Sequence, residues 1–183
     1  VTKGLDPDIP MKDSGIEWVG DIAEHFQVIR LKYLCKVFGR IGFRGYTQAD
    51  LVAEGEGPIT LSPSNICDRG MDYSKCTYLT WEKYEESPEI QISNGDILLV
   101  KTGSSYGKSA IVENLPMEAT INPQFVVVKD ILCNSKYLSY FMQTSLFEYQ
   151  VEQAVVGGTI PTMAQEKINN FYIFLPSKDE CKE

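Results

Sequence analysis

The chain has 183 residues, 43% of them apolar and 11% aromatic, and a formal net charge of −8. These proportions fit one folded domain with a sizeable core and exclude a disordered tail. No apolar run reaches the length of a membrane span, the first residues lack the apolar core of a secretory leader, and net charge alone argues against nucleic acid.

Charge is unevenly distributed. His25 to Ala49 carries five basic residues (Arg30, Lys32, Lys36, Arg40, Arg44) and no acid, whereas Asp50 to Asp96 carries ten acids against Arg69, Lys75 and Lys83. A basic face on an acidic protein is therefore available. The five cysteines (Cys35, Cys67, Cys76, Cys133, Cys181) form no CxxC pair, and His25 is the single histidine. No zinc set can be assembled from them, and reduced thiols in a cytoplasm are expected, without metal or other cofactor.

Val1 to Gly15, with Pro7 and Pro10, reads as a lead-in, and Ile16, Trp18, Val19, Ile22 and Phe26 as a short turn or helix against the domain. Gln27 to Val37 reads as one or two strands. Gly39 to Tyr46 interleaves three glycines with Arg40, Arg44, Phe43 and Tyr46. Arginines for phosphate or guanine and aromatics for stacking are the vocabulary of nucleic-acid contact, although the same letters also make ordinary surface loops. Thr47 to Glu54 is predicted as a short helix with Thr47 as N-cap. Ile59 to Leu61 is predicted as a strand, Ser62 to Asn65 as a hydrogen-bonding turn, and Thr80 to Glu86 as an acidic helix ended by Ser87-Pro88.

Asn94 to Val112 is the centre of the sequence. Ile97 to Val100 is an unbroken apolar run bounded by Gly95-Asp96 and Gly103, the pattern of a strand buried on both faces, with Ala110 to Val112 as its return partner. Gly103-Ser104-Ser105-Tyr106-Gly107 is then a hairpin loop with a glycine at each end, where positive φ is cheap. With Thr102 opposite Lys108, the lysines Lys101 and Lys108 become neighbours at the loop mouth, an arrangement that repels unless they share an anion.

Three enzyme motifs come close and fail. A P-loop needs four residues between its glycines and a following helix, whereas Gly103 and Gly107 enclose three and a strand follows. Gly103 to Gly107 also reads G-x-S-x-G, but the elbow needs a following helix and a later histidine, and His25 lies upstream. Asn122-Pro123-Gln124-Phe125 is one residue from the N-P-P-F/Y tetrapeptide of amino-methyltransferases, yet no glycine-rich turn for S-adenosylmethionine accompanies it. It is read as a turn into a strand over Phe125 to Val128. Beyond it, Asn134 to Val155 is predicted as one amphipathic helix, with Tyr137, Leu138, Phe141, Met142, Leu146, Tyr149 and Val156 as its core stripe and Gly157-Gly158 as its stop. A polar loop around Pro161, a short helix over Met163 to Asn169 and a strand over Phe171 to Leu175 complete the chain.

Lys12 to Ile22 (KDSGIEWVGDI) followed by Glu24-His25-Phe26, the hairpin from Gly95-Asp96-Ile97-Leu98 to Gly107-Lys108, Asn122 with Gln124, and Gly158 to Pro161 with Phe174-Leu175-Pro176 occur in a definite order. Together they resemble the target recognition domain of the DNA specificity subunits of type I restriction–modification systems. The chain departs from that family's pattern at Ala23-Glu24-His25-Phe26, where Pro-Glu-His-Trp is common, and at Ser177 to Cys181, where a second proline and a long helix usually follow.

The resemblance implies an α+β fold, a single target-recognition domain with a twisted mixed sheet and flanking helices, lacking the long connecting coiled-coil helices. Residues 1–15 are then a lead-in, 16–176 the domain and 177–183 the start of a truncated connecting helix, as in an excised recognition domain or a half-subunit. It implies a non-catalytic role: reading one half of a bipartite site on double-stranded DNA. Partners would be a methyltransferase subunit, a restriction/translocase subunit and a second recognition domain. Arg40, Arg44, Lys101 and Lys108 are the expected contacts to phosphate or guanine, with Tyr46, Asn65, Ser104, Ser105, Tyr106 and Thr159 as further DNA-binding candidates. Two other classes remain open: a fragment of an adenine methyltransferase, which would bind S-adenosylmethionine, and a protein-interaction domain using the acidic middle segment, which would show no salt-dependent DNA binding.

Overall fold

The structure, a computed structural model, describes residues 8–68, 70–156 and 160–177, apart from the side chain of Phe43. Its strands are β1 (Met11–Asp13), β2 (Asp21–Ala23), β3 (Gln27–Arg30), β4 (Lys36–Gly39), β5 (Leu51–Val52), β6 (Ile59–Leu61), β7 (Ile66–Cys67), β8 (Gly70–Met71) and β9 (Thr77–Leu79). After helix α1 (Trp81–Glu85) come β10 (Gln91–Ile92), β11 (Ile97–Val100), β12 (Ser109–Ile111), β13 (Ala119–Ile121) and β14 (Phe125–Lys129). Helices α2 (Ser135–Phe141) and α3 (Ser145–Ala154) follow, then β15 (Val155–Val156), β16 (Thr162–Met163), α4 (Gln165–Asn169) and β17 (Tyr172–Leu175).

The apolar run Ile97 to Val100 is a central strand, as its composition predicts. It pairs antiparallel with β12 on one side and β14 on the other, giving a four-stranded sheet in the order β12-β11-β14-β4. Side chains alternate between its faces. Ile97, Leu99, Val126 and Val128 enter a core shared with α2, α3, α4 and β17, while Leu98, Val100, Phe125 and Val127 enter a second core. That second core is closed by Ile59, Leu61, Ile92, Ala119 and Ile121 from a five-stranded sheet, β10-β13-β6-β9-β5, and by Ile90 from the 3-10 turn before β10. The four-stranded sheet is thus a middle layer, and burial of both faces is why its strands read ILLV and FVVV rather than alternating. The parallel pairing of β13 with β6 makes the larger sheet mixed.

Three local expectations are corrected. Asn134 to Val155 is two helices: Asn134 caps α2, and Thr144 starts α3 by accepting a hydrogen bond from the Phe147 N–H. The break resets the helical phase, so α3 buries Phe147, Gln150, Val151 and Ala154 instead of the predicted stripe, and Tyr149 turns out to stack on Trp18. Thr47 to Glu54 forms one 3-10 turn, Gln48–Asp50, closed by a reciprocal Thr47–Asp50 capping box; Leu51 and Val52 then pair with Leu79 and Tyr78 in the sheet. Two apolar residues cannot give a helix a buried face, and strand pairing takes them instead. Residues 11–13, in the stretch read as lead-in, pair with residues 21–23.

Candidate nucleic-acid interface

One end of the middle sheet collects the loops that follow β4 and β11 and the turn that precedes β14. Gly39 lies beside Val126, Val100 beside Phe125, and Leu99 beside Ser109, so these elements end at a common level. The Asn122 N–H donates to Leu61 O (2.9 Å), which brings the turn after β6 to the same end. The segments Gly39 to Tyr46, Ser62 to Met71, Lys101 to Lys108 and Asn122 to Gln124, far apart in sequence, therefore gather here. At the opposite end, the basic groups are neutralised: Lys36 pairs with Asp130 (2.7 Å) and Lys129 with Asp96 (3.5 Å).

The hairpin loop is held rigidly. Gly103 and Gly107 have φ of +100° and +85°. A Cβ at Gly107 would lie 3.0 Å from the Val151 side chain of α3, so the loop closes against that helix. The Gly103 N–H donates to Pro161 O (3.0 Å), the Met163 N–H to Lys101 O (2.8 Å), and the Thr102 and Thr162 hydroxyls lie 2.5 Å apart. Tyr106 packs against the core and anchors the loop, with Ser105 half-buried and Ser104 and Lys108 exposed.

The register corrects the expected lysine pair. The Val100 N–H donates to Lys108 O, so Lys108 stands opposite Val100 and not Thr102. Lys101 continues the face of Ile97 and Leu99, whereas Lys108 belongs to the face of Leu98 and Val100. The two ammonium groups leave the sheet on opposite sides. Neither has an ion-pair or hydrogen-bond partner among the described residues.

The other predicted residues divide clearly. Arg40 is 5% exposed, with its guanidinium donating to Ile121 O (3.1 Å), Thr120 Oγ1 (3.1 Å) and Arg44 O (3.3 Å), and lying over the Tyr46 ring. Burial pulls its pKa below the ordinary value, with Tyr46 the foremost opposing influence. Its hydrogen bonds tie the end of β4 to β13, joining the two sheets. Asn65 is likewise buried, accepting from the Ser62 N–H and donating to Asp72 O and Lys75 O. Arg44 donates to Glu86 O (3.1 Å) and lies 3.8 Å from Glu89. Thr159 lies outside the described residues.

A cleft of about 910 Å³ runs beside β12, lined on one side by Ser104, Tyr106 and Lys108 and on the other by α2 and the β7–β8 turn. Asp68, Glu113, Glu148 and Glu152 also line it, and Lys136 there is paired with Glu113. The carboxylates along it repel phosphate, and Lys108, exposed on the hairpin side, is a lining cation without an ion pair among the described residues.

Gln124, part of one of the ordered blocks in the sequence, is not among the residues expected there to contact DNA. Asn122 and Gln124 lock one another: the Gln124 N–H donates to Asn122 Oδ1 (3.0 Å) and Asn122 Nδ2 to Gln124 Oε1 (3.1 Å). The signal in the sequence is Asn122-Pro123-Gln124, which reads as a turn into a strand.

No protein-family model and no curated protein matches the chain. Solved structures do. The HsdS subunit from Thermoanaerobacter tengcongensis superposes with a TM-score of 0.60 at 13% identity, over 94% of this chain and 37% of that one. A type I restriction-modification S subunit from M. genitalium gives 0.55 at 12%, over 93% and 36%. A chain from a structure addressing complex assembly and conformational transition of the type I R-M system gives 0.66 at 14%, over 94% and 38%. The fold is that of an HsdS target-recognition domain. The chain spans little more than a third of the length of those structures. The described helices have five, seven, ten and five residues, and none forms a long coiled coil or is long and apolar enough to cross a membrane.

Proposed function

We propose that this chain is a sequence-reading DNA-binding module of a type I restriction–modification specificity subunit, recognising one half of a bipartite site. The observation that carries this reading is the gathering of four polar loops at one end of a target-recognition fold, where the Lys101 and Lys108 ammonium groups have no partner among the described residues, whereas Lys36 and Lys129 at the other end are ion-paired. Residues 16–176 are the recognition domain in this reading, working in the cytoplasm. The chemistry belongs to partners: a methyltransferase subunit and a restriction/translocase subunit, with a second recognition domain for the other half-site.

Within the interface, Lys108, Ser104 and Ser105 are the direct DNA contacts on the hairpin, and Lys101 contacts the backbone. Thr159, outside the described residues, remains a proposed contact on the resemblance alone. Arg40 and Asn65 act behind the surface, holding the sheet ends and the turn after β6, and Tyr46 and Tyr106 brace the two loops. Arg44 is placed at the margin, where a phosphate competes with Glu89. A preformed hairpin suits this role, because no ordering cost is added on binding.

The decisive experiment is to join the chain to a methyltransferase partner through a specificity-subunit scaffold and map the methylated sites by sequencing. Methylation at one bipartite motif is the expected result. Failure to assemble, together with no salt-dependent binding of duplex DNA by the chain itself, would overturn the reading. Uptake of S-adenosylmethionine by the isolated chain would favour a methyltransferase fragment instead.

A further inference from the structure

The turn Asn122-Pro123-Gln124 adjoins Lys101, a half-buried cation without a hydrogen-bond or ion-pair partner among the described residues. Lys101 Nζ makes no hydrogen bond and no ion pair with any described residue. Its side chain is half-buried, lying 3.2 Å from the position a Cβ would take on Gly39, beside Val126 and Gln165. Burial without a compensating charge is costly for an ammonium group. The Lys101 N–H donates to Gln124 O (2.8 Å), and one step beyond the Val100–Phe125 pairing Lys101 stands opposite Gln124 on the same face.

Gln124 presents a second unused donor. Asn122 Oδ1 is occupied by the Gln124 N–H, so Asn122 must present Nδ2 to Gln124, and Gln124 must answer with Oε1. That leaves Nε2 facing away from Asn122, with no acceptor among the described residues. It lies 3.0 Å from where a Cβ on Gly103 would be, under the start of the hairpin loop. Lys101 and Gln124, joined through the Lys101 N–H to Gln124 O bond, thus bring to the same sheet end a cation and an amide donor that make no hydrogen bond with the described residues, a pair complementary to one anionic oxygen.

We propose that Lys101 and Gln124 form a seat for a single backbone phosphodiester of bound DNA. This rests on the DNA-reading function proposed above. The seat positions the duplex without reading sequence, and leaves discrimination to the exposed hairpin residues on the other side of β11.

The test is duplex binding by the full chain across a salt series up to roughly 200 mM, comparing wild type with Lys101→Met, Lys101→Arg and Gln124→Glu. Losing one phosphate contact lowers the slope of log K against log salt by about 0.9. Lys101→Met should lower the slope by that amount on every sequence tested, and Lys101→Arg should restore it. Gln124→Glu keeps the oxygen that Asn122 needs but sets a carboxylate against the phosphate, so affinity should fall at least about 10-fold at low salt. Wild-type binding with slopes unchanged in the variants overturns the seat and leaves the DNA-reading function standing. Absence of salt-dependent binding by the wild type overturns both. Shifts of the Gln124 side-chain amide with inorganic phosphate but none with duplex DNA would make the ligand a free phosphate and overturn the phosphodiester assignment.

Discussion

Burial pulls the Lys101 ammonium below its ordinary value of 10.5, with no neighbouring charge to offset it. The charged group therefore opposes folding at neutral pH. That cost is full below the lowered folded-state pKa, shrinks as the native ammonium deprotonates first, and is gone above 10.5, where the unfolded group is neutral too. Lys101→Met should accordingly raise Tm at pH 7 by roughly 1–2 °C, a modest figure because the side chain retains solvent contact. Thermal melts at a series of pH values should show the gain dwindling as pH approaches 10.5; a drop in Tm at pH 7 would mean the ammonium has a favourable partner. Arg40 is the contrasting case. Both are cations drawn from the same reading of the sequence, but Arg40 has three acceptors around its guanidinium and is spent on joining sheets. Residue type and charge were legible at both positions; which cation had its acceptors supplied by distant backbone was not.

Among the elements, β11 and β14 were legible because burial on both faces leaves an unbroken apolar run, a signal that depends on no partner. Helix α1 was equally plain, since Thr80 caps it and Ser87-Pro88 follows. The split between α2 and α3 was hidden: Leu146 and Tyr149 keep helical spacing from Phe141 and Met142, so periodicity bridges the break. Thr144 marks it, with a hydroxyl that accepts from Phe147 N and donates to Phe141 O (2.7 Å). Thr144→Ala should cost about 1 kcal/mol in chemical denaturation, as a lost N-cap does. If α2 and α3 were one helix in solution, the same change would be neutral or stabilising, because alanine propagates a helix better than threonine.

At the level of the whole molecule, the net charge of −8 is a poor guide to partners, because lysines of equal charge differ in whether the fold supplies them a carboxylate. Lys108 stands exposed at the loop end without a partner, while Lys36 at the other end is bridged to Asp130. Removing either changes the net charge equally. Lys108→Ala should nevertheless lower the salt slope of duplex binding by about 0.9, whereas Lys36→Ala should leave it unchanged. Equal effects would mean that binding follows total charge and that no end of the molecule is privileged.

The α+β class entered through the resemblance that the ordered blocks carry; the sequence by itself determined the buried central strands, the capped helix α1 and the glycine-bounded hairpin. Each rests on local pattern: apolar runs, capping residues, and glycines where φ must be positive. Only the tertiary structure decided that two cores share the middle sheet, that Lys101 and Lys108 leave opposite faces, and that Gln124 pairs with Lys101 through the backbone. Those facts depend on strand register, and a shift of one residue moves every side chain to the other face. Register is set jointly by the cores on both sides of the sheet, and so is written in residues scattered along the whole chain.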